Sequence, residues 1–331
     1  MCWEGGRSRV QKLIDFDHVK ILINNYEGAD LKLRMCMDGN TYMLKFGQKL
    51  EPDEKKPLQA SYSSSPISEY LGCHVYEIAG IPVQETLLGT YQGRLAVACR
   101  DFIEERGNVP DEELIEFKKL ENSYLDSSTA GGRTPTYENL TEILENHTAL
   151  EPIRTQAKEH YWKMFAVDAL IGNFDRHAGN WGYFMSRAQN RLTDTAPVYD
   201  CGSSFYPQLN EKTMEEMLAV PEKIEERVQL FPTAALRVNG RKVRYHEFLL
   251  SEKGRFCREL LRELYPKLDM EKIRDLIDAA PGLSETRRSF YKTLTNIRHE
   301  VILKPAYELS LKEEKEKSKE KKIKRRHKII L

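Results

Sequence analysis

A chain of 331 residues exceeds the usual single-domain length, so it has room for two packed lobes with a substrate cleft between them. Hydrophobic residues are 40% and charged residues 31%, a globular composition, and 51 Lys and Arg against 51 Asp and Glu exclude a net charge that would point to a polyanionic partner. The six cysteines form no CxxC pair and no zinc spacing with histidine, and no apolar run reaches the roughly 18 residues of a membrane span. The reading is therefore a cytoplasmic protein with reduced thiols, no transmembrane segment and no export signal.

The first stretch of the chain is rich in strands. "VKILINNY", "LRMCM" and "TYMLKFG" are short runs of β-favouring residues, with Asp38-Gly39 as the hairpin turn between the last two. A helix follows, capped by Ser65 with Pro66 in its first turn, and Ile67, Tyr70, Leu71, Val75 and Ile78 recur at helical spacing until Gly80 closes it. "LLGTYQGRLAVACRDF" makes a second hairpin about Gln92-Gly93. Beyond residue 103 the spacing predicts helices over 111–121, 137–147, 155–172, 211–230, 255–263, 269–279 and 284–309. "DSSTAGGRTPT" is a flexible loop between the first two, and Asn239-Gly240 marks one small hairpin in "LRVNGRKVRY". The predicted organisation is a β-rich part over 1–103 with one helix, a helical part over 104–310, and a charged tail over 311–331 that turns basic at its end.

The segment "HYWKMFAVDALIGN" is apolar nearly all round and predicts a buried helix that delivers Asp175 to the loop at its end. A carboxylate held rigidly in such a loop suits a catalytic base. Asn180 follows five positions later. A second aspartate, Asp200, ends a short predicted strand in "APVYDCGSS" after a strand pair. That order is the one phosphoryl transfer uses: one Asp takes the proton of the attacking hydroxyl, while Asn and the second Asp hold the magnesium that bridges nucleotide phosphates. The chemistry also needs a lysine on a strand. Lys45 meets the need, because Tyr42, Leu44 and Phe46 line one face of "TYMLKF" and leave Lys45 on the other, where a mid-strand ammonium needs an anion. Its expected carboxylate partner is Glu69 on the following helix.

"LIGNFDRHAGNWG", "APVYD", "YMLKF" and "SEYLGCHV" together resemble the HipA-type serine/threonine kinases, and most the short, cell-translocating form without the extra N-terminal subdomain. The resemblance runs from about residue 20 to about 310. It implies an α+β, two-lobed protein-kinase-like fold, with a small β-rich N-lobe and a larger helical C-lobe. It implies ATP and Mg2+ as cofactors, a protein serine or threonine as acceptor, and autophosphorylation. By position, Asp175 would be the proton acceptor, Asn180 and Asp200 the metal ligands, and Lys45 the phosphate-binding lysine. His177 and Tyr199 would line the nucleotide site, and Cys99, Arg100 and Asp101 would form the hinge beside adenine. "YEGADLK" stands where the family has its phosphate-covering loop, so Gly28, Ala29, Asp30 and Lys32 would be the contacts there. The loop holds a single glycine, and Asn25 occupies the place of the family's self-phosphorylated serine. The family resemblance leaves open whether the role is that of a toxin or of a signalling kinase.

Blander readings stand beside these. His177 equally suits a residue that props its own loop, and Glu69 a solvated helix face. Cys99 and Cys201 read as packing residues. A phosphoinositide kinase also carries a DRHxxN loop, but "DCGSSFYPQLNEK" offers no positive charge before Lys212 to read an inositol phosphate. A non-catalytic kinase-like binding module is the other alternative, with "KKIKRRHK" contacting nucleic acid, an anionic membrane surface or an import receptor through charge alone.

Overall fold

Asp38-Gly39 makes a turn with both residues at positive φ (51° and 79°), the geometry that matches the twist of two flanking strands. The structure is a computed structural model that describes residues 12–23, 32–47, 65–105, 111–126 and 133–330, with backbone alone for 105 and 322–330. In its first part the strands are β1 (Ile14–Asp15), β2 (Lys20–Leu22), β3 (Lys32–Met37) and β4 (Asn40–Phe46). The helix α1 (Ser65–Ile78) follows, and then the hairpin β5 (Thr86–Tyr91) and β6 (Arg94–Arg100). These six strands form one sheet in the order β1-β5-β6-β4-β3-β2, antiparallel except for β1 on β5.

The alternation expected of β4 is present. Tyr42, Leu44 and Phe46 pack with Phe16, Met35, Ala96 and Ala98 into a small core on one face of the sheet. Met43 and Lys45 face the other way, the side on which α1 packs against β4, β5 and β6. That side merges with the main core through Leu88, Val97 and Cys99.

The short helix α2 (Phe102–Glu105) leads out of the sheet, and β7 (Glu112–Glu116) and α3 (Phe117–Tyr124) come next. The helix expected over 111–121 is therefore strand in its first half. Pairing with a later strand overrides the local apolar spacing, as it does wherever a segment fits both periods. Next come α4 (Tyr137–Asn146) and the central helix α5 (Arg154–Ile171), then the hairpin β8 (Gly182–Ser186) and β9 (Arg191–Thr195), which with β7 forms a three-stranded sheet.

The expected helix over 211–230 is two helices, α6 (Glu211–Leu218) and α7 (Pro221–Leu230). Pro221 has no N–H and forces Val220 out of helical geometry (φ −137°, ψ 84°). The Asn239-Gly240 turn joins β10 (Thr233–Val238) to β11 (Arg241–Arg244), and α8 (Tyr245–Leu250), α9 (Arg255–Leu264), α10 (Met270–Ala279) and α11 (Glu285–Arg298) follow. A π turn at His299–Leu303 links α11 to the last helix, α12 (Lys304–Ile330), so the expected 284–309 helix is interrupted. Pro305 cannot donate to the carbonyl four residues before it, and the wider turn absorbs that missing bond. The tail continues α12, which is held to α9 by Arg258 with Glu313, Arg262 with Glu314 and Lys317 with Glu259.

Candidate active site

Helix α5 buries residues on every side, among them Tyr161, Phe165, Val167 and Leu170, and ends at Gly172 in the left-handed region (φ 69°). Glycine is required there twice over. A Cβ would carry the cost of that φ and would also stand 1.6 Å from the Arg298 guanidinium. The helix thus stops sharply and releases Asn173, Phe174 and Asp175 into a loop.

One charge inside this apolar helix organises the loop beyond it. Asp168 is buried, and its two oxygens accept from Arg176 Nε (2.9 Å) and Nη2 (3.2 Å), from the Tyr76 hydroxyl (2.7 Å) and from Asn173 Nδ2 (3.1 Å). Four donors satisfy a carboxylate that would otherwise be too costly to bury. Through its remaining nitrogen, Nη1, Arg176 donates to the carbonyls of Asn180 (2.9 Å), Tyr199 and Asp200 (3.4 Å). One buried guanidinium therefore joins the loop after α5 to the loop after β9, and the planar fork of arginine suits that task.

The first loop is closed by its own bonds. Asp175 N–H donates to Asn173 Oδ1 (3.1 Å), and the Asn180 side chain donates from Nδ2 to the Asp175 carbonyl (2.8 Å). Only the amide nitrogen can make that bond, so the amide oxygen of Asn180 is the atom left for a cation. His177 Nδ1 accepts from Gly179 N–H (3.0 Å), so the ring props its own loop. The Tyr199 hydroxyl donates to the Gly179 carbonyl (3.3 Å), and the Tyr199 ring lies 5.7 Å from that of Phe102.

The second loop carries no regular strand before Asp200. Val198 makes an isolated bridge to Val83, with Gln84 N–H to the Val198 carbonyl at 2.8 Å, and this contact attaches the loop to the sheet lobe. Asp200 has φ 60°, a turn that aims its carboxylate at β4. There Lys45 Nζ lies 3.2 Å from Asp200 Oδ1 and 3.3 Å from Glu69 Oε1. The Glu69 side chain is 2% exposed, Lys45 18% and Asp200 43%, so the trio grades from the core to an open cleft. Burial alone would lower the Lys45 ammonium, but the carboxylates of Asp200 and Glu69 outweigh it and hold it well above its ordinary value. The Lys45 charge in turn holds Asp200 below the usual range. Asp175 goes the other way: burial raises it, His177 opposes that rise and the charge of Asp200 adds to it. A Cβ on Gly202 would stand 3.1 Å from Glu69 Oε2, so the glycine two places past Asp200 makes room for the ion pair.

Lys32 stands directly opposite Lys45 on β3, and its charge also lowers Asp200. Cys99 is buried, with its thiol pushed up by burial, and serves packing. Arg100 and Asp101 donate their N–H groups to the carbonyls of Glu85 and Thr41 (both 2.9 Å), and the Arg100 side chain binds Glu85 and Asn40. Gly28, Ala29, Asp30 and Asn25 lie outside the described residues. Asp168 lies outside the motifs, and the DRHxxN spacing assigns Arg176 no role, although a carboxylate in the otherwise apolar "FAVDALI" is itself a signal that a buried cation must meet it.

A β-sheet lobe carrying a Lys–Glu pair, set over a helical lobe that presents two aspartate loops, is the two-lobed protein-kinase-like fold. Comparison with known proteins gives the family. The HipA-like C-terminal domain matches residues 19–277, and the chain belongs to that family. It is 35% identical over 288 residues to the serine/threonine-protein kinase CtkA of Helicobacter pylori, covering 85% of this chain and 84% of that one. The crystal structure of the Helicobacter pylori proinflammatory kinase CtkA superposes with a TM-score of 0.76 at 31% identity, over 91% of this chain and 98% of that one. HipA of Shewanella oneidensis, solved with HipB and operator DNA, shares the fold at a TM-score of 0.55 and 13% identity, over 89% of this chain and 75% of that one. The enzyme class is accordingly that of the serine/threonine protein kinases. No helix among the described residues is long and apolar enough to cross a membrane.

Proposed function

We propose that the chain binds ATP with Mg2+ between its sheet lobe and its helical lobe, transfers the γ-phosphate to a serine or threonine hydroxyl of a protein, and phosphorylates itself. The observation that carries this reading is the Lys45 ammonium held between Glu69 and Asp200 at 3.3 and 3.2 Å. Two acids steady an amine at the cleft without exhausting it, since an ammonium has three donors.

Each residue then has a task. Lys45 donates to phosphate oxygens of the nucleotide, and Glu69 keeps it in place. Lys32 adds positive charge from β3. Phe102 and Tyr199 supply aromatic surface to the base, beside the hinge of Cys99, Arg100 and Asp101. The N–H groups of Arg100 and Asp101 already donate within the protein, and the Arg100 carbonyl already accepts from Gln84 Nε2 (2.9 Å). Asp175 takes the proton of the acceptor hydroxyl while that oxygen bonds to the γ-phosphorus. The bond from the γ-phosphorus to its bridging oxygen breaks, and ADP leaves with the electron pair. His177 holds the loop that carries this base.

Asn180 and Asp200 are the residues that would hold magnesium, and the donor set fits: both offer oxygen, and the Asp200 carboxylate is open to the cleft. Magnesium keeps several waters and takes one or two protein oxygens together with phosphates, so a pair of ligands is enough. Bound there, the ion would neutralise charge on the phosphates. Incubating the purified protein with γ-labelled ATP, with and without magnesium, tests the reading. Transfer of label to the chain or to a Ser/Thr substrate, lost in Asp175→Asn, supports it, and retention of full transfer by Asp175→Asn overturns it.

A further inference from the structure

The hairpin of β10 and β11 contains Arg237, Arg241, Lys242 and Arg244 and no acidic residue, in a chain whose charges balance overall. Its register sets Arg237 directly opposite Lys242, and Arg244 alternates with Lys242, so these three cations share one face of the ribbon. The opposite face carries Val238 and Val243, which pack on the main core, with exposed Arg241 opposite Val238 beside the turn. Like charges directly across a strand pair are destabilising, so Lys242 opposite Arg237 favours an added anion there. The Arg237 guanidinium is turned back to the Gly240 carbonyl (2.8 Å), and Arg244 meets Glu247 (2.8 Å). Lys242 is exposed and makes no hydrogen bond or ion pair among the described residues.

This charged face is tied to the catalytic loop on two sides. Ala178 N–H donates to the Arg133 carbonyl (2.9 Å), and two residues on Arg237 N–H donates to the Pro135 carbonyl (2.9 Å), where Thr136 bridges to Arg237. At the other end, the Tyr245 hydroxyl donates to the Asn173 carbonyl (2.5 Å), two residues before Asp175. Lys242 is near enough for its charge to act on the Asp175 carboxylate.

We propose that the Arg237, Lys242 and Arg244 face of the β10–β11 hairpin is the acceptor-side specificity element, which selects protein segments with acidic side chains beside the phosphorylated serine or threonine. The inference rests on the kinase reading given above and deepens it.

The test uses the full chain, ATP with magnesium, and three synthetic peptides with one serine flanked by glutamates, by alanines or by lysines. The expected result is a kcat/KM at least tenfold higher for the acidic peptide than for the alanine peptide, falling as salt is raised. In Lys242→Glu that ratio falls at least tenfold, through KM, and in Lys242→Ala by less. The thermal shift on adding ATP reports folding in each variant. Equal kcat/KM on all three peptides overturns the inference and leaves the kinase reading standing. No transfer to any peptide, with no thermal shift on adding ATP, overturns both. Lys242-dependent binding of RNA without a preference for the acidic peptide overturns it in favour of nucleic acid.

Discussion

Arg176 touches neither the proposed nucleotide nor the acceptor, yet its replacement is expected to damage both stability and turnover. In Arg176→Ala the buried Asp168 carboxylate loses two of its four donors and keeps those from Tyr76 and Asn173. Breaking a buried pair from one side costs about 3–5 kcal/mol, and the surviving donors place this case near 3. The carbonyls of Asn180, Tyr199 and Asp200 lose their shared donor as well, at about 1 kcal/mol each where water does not replace it. A loss of about 3–6 kcal/mol in a chain of this size lowers Tm by about 6–12 °C, taking about 2 °C per kcal/mol. Because the same bonds hold Asn180 and Asp200 in one frame, kcat should fall by about a hundredfold or more even at temperatures where the variant is folded. Arg176→Lys keeps the charge but not the fork and should fall between the two. Scanning calorimetry together with phosphate-transfer rates at 15 °C makes the comparison. A wild-type Tm in Arg176→Ala, or a lowered Tm with unchanged kcat, refutes the claim that this guanidinium frames the site.

The remaining predictions concern the cleft and the helix end. Lys45→Met strands the buried Glu69 and should cost about 3 kcal/mol of stability; adding Glu69→Gln should restore much of the Tm but none of the transfer, a coupling a double-mutant cycle in calorimetry and activity measures. Asp175 must be ionised to act as a base, and its raised pKa means that kcat/KM falls with decreasing pH through a value above the ordinary aspartate range; Lys242→Ala, which removes a lowering charge, should move that limb further up. The same raised pKa makes the ionised Asp175 a cost to folding at pH values above its unfolded pKa, so Asp175→Asn should abolish transfer at neutral pH with a Tm no lower than wild type. Gly172→Ala meets both an unfavourable φ and the Arg298 guanidinium and should destabilise by about 2–5 kcal/mol, read as a fall in the urea midpoint.

How much of the site is visible in sequence depends on whether a residue's partner lies within its own periodic pattern. The β4 alternation isolates Lys45 as the odd charge in an apolar run, and the spacing of Asp175 and Asn180 lies within one loop, so both are legible without a fold. Glu69 is legible only as a residue on the right helix, because its burial depends on the sheet that covers it. Arg176 and Asp168 pair across a helix end, and no period relates them. The strand Glu112–Glu116 fits a helix equally well until Ile115 is set against Tyr183 and Leu114 against Phe184. Apolar spacing over 211–230 conceals the break that Pro221 makes. The basic hairpin is legible as a turn but not as a neighbour of the loop that holds Asp175, since the two attachments beside it are long-range.

The central claim is that Lys45, Glu69, Asp175, Asn180 and Asp200 form one phosphate-transfer centre, and single-turnover transfer from γ-labelled ATP tests it most directly when ATP binding is measured on the same samples. The account predicts that wild type and Asp175→Asn bind ATP with magnesium alike while only wild type passes label to a serine or threonine. Failure of the wild-type chain to bind ATP, or equal transfer by the two proteins, contradicts it.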